Sequence, residues 1–289
     1  MILSIGEILA DVIDDNGKKQ KYTGGAPFNL IVNAKRSGAT AGFIGRVGND
    51  ETGKFLIEET SKYGLNYLDI QVDNNRNTTL ALVTLTDGER DFKFIRQDTA
   101  DYNIDFDSID FSKYQDLKII HLGSLMLSEK SGVELANKIV NKAKSLGVKL
   151  SFDVNFRTDI FKDEDSAKAT YLPFIENADI VKFSDDELLL FTSETDVFAG
   201  CKKLAKQGQL IVVTLGKKGS FYYLDGESGL VETMPVSPID TTGAGDAFYG
   251  TFLAGIESVE YTDKNIKTAM KLANENGAKT TLFKGAIKL

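Results

Sequence analysis

The sequence is poor in the residues that build metal and redox centres. Its 289 residues include one cysteine, Cys201, one histidine, His121, no tryptophan and four prolines. A lone cysteine excludes an internal disulfide framework and any paired-cysteine metal site. A lone histidine excludes sites that need two, such as His-Glu-x-x-His, and argues against a Ser-His-Asp hydrolase. Four prolines leave no material for a proline-rich linker. Basic residues are outnumbered, 34 Lys and Arg against 42 Asp and Glu, giving a formal net charge of −8. Such a chain is a poor partner for nucleic acid or an anionic membrane, although a local pocket can still hold a small anion. No run of about 18 apolar residues occurs, so no membrane-spanning helix is expected. The first five residues are apolar, but Glu7 and Asp11 interrupt them and no basic stretch precedes them, which does not suit an export signal. The expected compartment is the cytoplasm, where the sequon Asn77-Thr78-Thr79 goes unused.

What the sequence does contain is alternation. Short apolar runs predict strands over 2–5, 42–47, 118–122, 148–153, 179–183 and 210–215. Amphipathic stretches predict helices over 27–37, 51–63, 128–145, 165–176 and 185–191, the first with proline in its opening turn. Strand-helix alternation of this kind implies an α/β fold, a mostly parallel sheet flanked by helices on both faces. Residues 67–72, 78–86 and 91–96 instead alternate apolar with polar, and Asp87-Gly88 between the last two is a hairpin signal. Together with 11–22 they predict a small antiparallel lid. The expectation is one domain over 1–289, with a lid subdomain formed by about 11–22 and 67–97.

The strongest local feature is Asp240-Thr241-Thr242-Gly243-Ala244-Gly245-Asp246, which leads into an apolar helix. Two glycines let the backbone approach a ligand, and a helix starting there turns free N–H groups and its positive end toward an anion. Asp246 falls in the first turn, where the dipole favours a carboxylate that can accept a proton. Phosphate-binding amides beside a carboxylate are two parts of a phosphoryl-transfer site. Alone, the segment also reads as an acidic helix start after a flexible loop. A second pair, Gly24-Gly25-Ala26-Pro27-Phe28-Asn29, also precedes a helix and offers an amide that both donates to and accepts from a polyol. Gly48-Asn49-Asp50-Glu51-Thr52-Gly53-Lys54 has Walker A spacing, but Phe55 follows, and Asp50 and Glu51 would repel phosphate. It is not a phosphate loop.

The two glycine motifs, in this order and at this separation, resemble the paired signatures of the PfkB, or ribokinase-like, carbohydrate kinases. Shorter matches accompany them: Ser4-Ile5-Gly6-Glu7 with Asp11, Val47-Gly48-Asn49-Asp50 with Gly53, and Val213-Thr214-Leu215-Gly216 with Gly219. The resemblance implies a ribokinase-like fold and an ATP- and Mg²⁺-dependent sugar kinase. It makes Asp246 the catalytic base and Gly243, Ala244 and Gly245 an anion hole. Asp11, Gly24, Gly25 and Asn29 match sugar-binding positions, and Thr214, Gly216, Gly219, Asn274 and Gly277 match nucleotide-binding ones. The family's Asn-x-x-Glu is Ser184-Asp185-Asp186-Glu187 here. Glu187 is left to order Mg²⁺ waters, and Ser184 stands where the amide would be. The same residues spell a capping box. Asp240 and Thr242 match positions that bind a monovalent cation, K⁺ in many members.

The segment 88–96 resembles the lid strand of fructokinases, and Phe152-Asp153-Val154-Asn155-Phe156-Arg157 resembles one shared by fructokinases and 2-keto-3-deoxygluconate kinases. Phe94, Arg96, Asp153 and Arg157 are therefore candidates to contact substrate, with Phe92 on the same strand face as Phe94. The implied activity is phosphorylation of fructose at its 6-hydroxyl. The alternatives are 2-keto-3-deoxygluconate kinase and a non-catalytic sugar-binding regulator on the same scaffold. Exposed lid edges suggest a homodimer through the lid. His121 reads as a core-edge residue and Cys201 as packing.

Overall fold

The computed structural model describes every residue except 16–17, 87–88, 158–159, 162 and 289, and no side chains at 14–15, 18–19, 83–86 and 89–92. Nine strands form the large sheet. From one edge to the other they are β13 (Glu227–Val231), β12 (Ser220–Leu224), β11 (Leu210–Thr214), β10 (Ile180–Ser184), β9 (Lys149–Asp153), β8 (Ile119–Leu122), β1 (Ile2–Ile5), β4 (Ala41–Gly48) and β5 (Tyr67–Asp73). Pairing is parallel from β11 through β5 and antiparallel at β12 and β13.

The apolar runs explain the layers. A strand buried on both faces sends successive side chains to opposite sides. Leu3, Ile5, Phe152, Val181 and Val213 enter one core with α3 (Lys130–Leu146), α4 (Glu164–Asn177), α5 (Asp185–Thr192) and α6 (Val197–Leu204). Ile2, Ile119, Ile180 and Val212 enter the other with α1 (Ala26–Arg36), α2 (Glu51–Ser61), α7 (Ala244–Ile256) and α8 (Asp263–Thr280). The predicted strands and helices are present, with ends shifted by a few residues at most. The Ser184 hydroxyl caps α5 while Glu187 reaches back to the Ser184 N–H, completing the capping box.

A second, four-stranded sheet has the order β3 (Lys18–Gly24), β2 (Leu9–Asp15), β6 (Leu80–Thr86) and β7 (Glu89–Ile95). It consists of two antiparallel pairs joined along a parallel β2–β6 contact. The expected lid boundary needs correcting here. Residues 67–73 pair along their whole length with β4, so β5 is an edge of the large sheet. An edge strand is half-buried and alternates like a lid strand, which explains the misplacement. The hairpin signal Asp87-Gly88 lies outside the described residues. The segment with Walker A spacing is a joint: Asp50 caps α2 by accepting from the Gly53 N–H at 2.7 Å and also accepts from the Thr78 N–H at 2.7 Å.

Candidate active site

A cleft of about 930 Å³ opens where the small sheet overhangs the carboxyl ends of the parallel strands. Ligands bind at this end of open α/β sheets. Its floor is the start of α7. Gly243, with φ of 74°, precedes the helix, and no side chain caps it. A methyl group on Gly243 would lie 2.5 Å from the Ala286 Cβ, so only glycine lets the loop pass residue 286. The first-turn N–H groups of a helix have no intrahelical partner, and Gly243, Gly245 and Asp246 line the cleft. Ala244 forms part of the same turn, its N–H donating to the Thr241 carbonyl at 3.2 Å.

Asp246 and Asn29 are 217 residues apart in sequence, yet Asn29 Nδ2 donates to Asp246 Oδ2 at 2.8 Å. The contact exists because α1 and α7 cross closely: a Cβ on Gly250 would meet the Leu30 carbonyl oxygen at 2.0 Å. Behind it, Asn276 of α8 donates to Asn33 Oδ1 at 3.0 Å and to Thr251 Oγ1 at 2.7 Å, tying the three helices together. Burial pushes the Asp246 carboxyl above its usual range, against the Asn29 hydrogen bond and the charges of Lys182 and Arg157. Such a carboxylate is a better proton acceptor than an exposed one.

Asp11 and Gly25 line the other side of the cleft, beneath Phe94 of β7. Gly25, with φ of 110°, lies so close to Glu7 that a Cβ would come within 2.5 Å of the Glu7 carbonyl oxygen. Gly24 is set back and packs on the Asp11 carboxylate. Arg157 lines the cleft with Asn155, a non-glycine residue at φ of 35°. The Phe92 side chain is outside the described residues.

Lys182 is a lining residue that the motifs did not single out. It sits mid-strand in β10, in register with Asp153 of β9, and its Nζ donates to the two carboxylate oxygens at 2.9 and 3.1 Å. Burial works against the ammonium, but Asp153, Glu187 and Asp246 outweigh it and hold the lysine protonated. A Cβ on Gly245 would lie 3.3 Å from its Nζ, so a fixed cation borders the glycine loop at the start of α7. Asp153 itself is not a lining residue; it anchors Lys182.

Other candidates are not brought into this cleft. Arg96 is buried, ion-paired with Asp101 at 2.9 Å, bonded to Ser128 and stacked over Tyr102 at 4.6 Å. Ser184 and Glu187 stand at the start of α5. Glu187 Oε1 accepts from the Phe156 N–H and Oε2 from the Ser184 N–H, both at 2.7 Å. Around the β11–β12 connection, Gly216 and Gly219 have positive φ, and Gly219 packs against the Val231 carbonyl. Asn274 of α8 donates to that carbonyl at 2.8 Å. Thr214 ends β11, and Gly277 faces the Ala244 carbonyl at the start of α7. Of these, Gly277 borders the start of α7, and Gly219 and Asn274 meet at the Val231 carbonyl.

Asp240 and Thr242 both line the cleft. Asp240 Oδ1 accepts from the Thr242 N–H at 3.0 Å and hydroxyl at 2.7 Å, and Oδ2 from the Gly285 N–H at 2.7 Å. His121 is internal, with Nδ1 3.1 Å from Ser151 Oγ; burial, then the Lys182 charge, pushes its pKa down to about 3. Cys201 is buried in α6, its thiol pushed up to about 12 by burial.

A sheet with this cleft and an acidic residue in an uncapped helix start describes a phosphotransferase, and comparison with known proteins agrees. Residues 1–289 match the pfkB family carbohydrate kinase profile, and the chain belongs to that family. Fructokinase-2 of Oryza sativa subsp. japonica is 33% identical, over 99% of this chain and 90% of the relative. The fructokinase of Vibrio cholerae in its fructose-, ADP- and calcium-bound form is 31% identical with a TM-score of 0.86, covering 99% of this chain and 94% of that one. The fructokinase of Xylella fastidiosa with bound ATP is 28% identical with a TM-score of 0.90, covering 99% and 93%.

Proposed function

We propose that this carbohydrate kinase transfers the γ-phosphoryl group of ATP to the 6-hydroxyl of fructose. The observation that carries the reading is the Asn29–Asp246 pair, held at 2.8 Å in the cleft at the uncapped start of α7. Asn29, Asp11 and the Gly25 backbone would hold sugar hydroxyls. Asp246 would take the hydroxyl proton as the oxygen bonds to the γ-phosphorus. The bond to the β-phosphate oxygen breaks in line, and ADP leaves with its electron pair. The Gly243, Ala244 and Gly245 turn, with Lys182 beside it, would stabilise the charge on the transferred group. Thr214, Gly216, Gly219, Asn274 and Gly277 would hold the nucleotide.

Among the described residues no cluster of three acidic, His or Cys side chains forms a metal cage. That fits Mg²⁺ that keeps most of its waters and shares the nucleotide's phosphates, with Glu187 as the fixed carboxylate facing those waters. Bound there, Mg²⁺ would neutralise phosphate charge. Asp240 and Thr242 would hold a monovalent cation such as K⁺. The Arg96 guanidinium is taken by Asp101, so this arginine is not presented to a substrate carboxylate. That favours a neutral sugar over 2-keto-3-deoxygluconate. The reading also includes a cytoplasmic enzyme and a homodimer formed through the lid.

Asp246→Ala tests the mechanism. ADP release should fall by about 10²–10⁴-fold, while calorimetry shows fructose still binding. Turnover near that of the unsubstituted enzyme would remove Asp246 from the base role.

A further inference from the structure

We propose that Glu7 is a specificity-determining residue of the sugar pocket, its side chain holding a sugar hydroxyl other than the one that faces Asp246. This inference rests on the sugar-kinase reading above. Glu7 lies in the short connection between β1 and β2, where the large sheet passes into the small one, and it lines the cleft. It is 2% exposed. Room for it comes from glycine: a Cβ on Gly123 would stand 2.6 Å from Glu7 Oε2. Among the described residues that Oε2 has no hydrogen-bond partner. Buried polar atoms are almost always paired. An orphaned carboxyl oxygen in the wall of a substrate cleft therefore points to a partner that arrives with the substrate.

The chemistry of the surroundings fits a hydroxyl. Leu9, Ala81, Leu125 and Phe94 form an apolar cluster in the same wall of the cleft. The charged and titratable groups that act on Glu7 or feel it are Arg96 after β7, Asp101, Asp246 of α7 and Tyr171 of α4. Arg96 is paired with Asp101, and its charge lowers the Glu7 carboxyl less than burial raises it. Burial pushes the Glu7 carboxyl up to about 8, so at neutral pH it is mainly the protonated acid. A protonated carboxyl has one O–H donor and spare acceptor capacity, the same complement as a sugar hydroxyl. A site built to pair with a hydroxyl discriminates against the analogue that lacks it.

The test uses Glu7→Gln, Glu7→Met and Glu7→Ala in the full-length enzyme, with fructose and its 1-, 3- and 4-deoxy derivatives. Gln keeps a donor and an acceptor and should stay within about 5-fold of the unsubstituted KM. Met keeps the volume without the hydrogen bonds, and both Met and Ala should raise the fructose KM roughly 10- to 100-fold, with the ATP KM unchanged. For one deoxy sugar, already weak with the unsubstituted enzyme, Met and Ala should cost nothing further. An equal penalty on every analogue, an unchanged fructose KM in Glu7→Met, or a loss confined to melting temperature would overturn the proposal. Turnover of fructose by the unsubstituted enzyme tests the functional reading separately. If another sugar is the one turned over, its deoxy forms replace those of fructose and the same contrast decides Glu7.

Discussion

Two buried acids face one cleft, and their surroundings give them different work. Asp246 is hydrogen-bonded by Asn29 and lies near the charges of Lys182 and Arg157. Glu7 lacks a partner for one oxygen and is pushed from a usual 4.5 to about 8 by burial. That shift has a consequence for stability. The folded protein keeps the Glu7 proton up to about pH 8, whereas the unfolded chain releases it near 4.5. Between those values unfolding releases a proton, so the Glu7 contribution to stability declines as pH rises and is flat above pH 8. Urea midpoints from pH 5 to 8.5 should therefore fall less steeply in Glu7→Gln than in the unsubstituted protein. Parallel curves would contradict the assignment. At this scale the sequence was only partly legible. Asp246, Asn29, Asp11 and Gly25 stand in compact motifs whose chemistry is local. Lys182 is a single lysine in an apolar strand, and its burial depends on Asp153, which only the β9–β10 register supplies. Arg96 reads as a substrate contact because segment 88–96 resembles a fructokinase lid strand; folding instead buries its side chain against Asp101, a pairing that no local motif announces.

The elements bring these residues together through close contacts that a side chain would obstruct. Gly250 lets α7 rest on α1 at Leu30, and that crossing sets the Asn29–Asp246 distance. Gly250→Ala should destabilise the protein by about 1–3 kcal/mol. It should also lower kcat by up to about 10²-fold, because small displacements of reacting groups are costly. The ATP KM should hold, since the β11–β12 connection is untouched. Thermal denaturation and steady-state kinetics check this; an unchanged kcat alongside a lowered melting temperature would show that the crossing serves stability alone. The strands of the parallel sheet were legible as short, continuous apolar runs. β5 was not, because an edge strand carries the same alternation as a lid strand and only pairing with β4 distinguishes them.

Over the whole molecule, the small sheet is both cover and candidate interface. Tyr22 on β3 and Ile95 on β7 are 42% and 48% exposed, and they lie on its two edge strands. Light scattering should give twice the chain mass at micromolar concentration, and Tyr22→Glu with Ile95→Glu should shift it toward one. A single-chain mass throughout would remove the lid-mediated dimer. No described helix is long and apolar enough to cross a membrane.

Phosphorylation of a neutral hexose in this cleft, with Asp246 as base, is open to a direct assay. ADP release with ATP and Mg²⁺ across fructose, tagatose, ribose, adenosine and 2-keto-3-deoxygluconate, with Asp246→Ala alongside, tests it most directly. Turnover should be led by fructose and lost in the substituted enzyme. Preference for the sugar acid, or saturable sugar binding with no turnover, would contradict it.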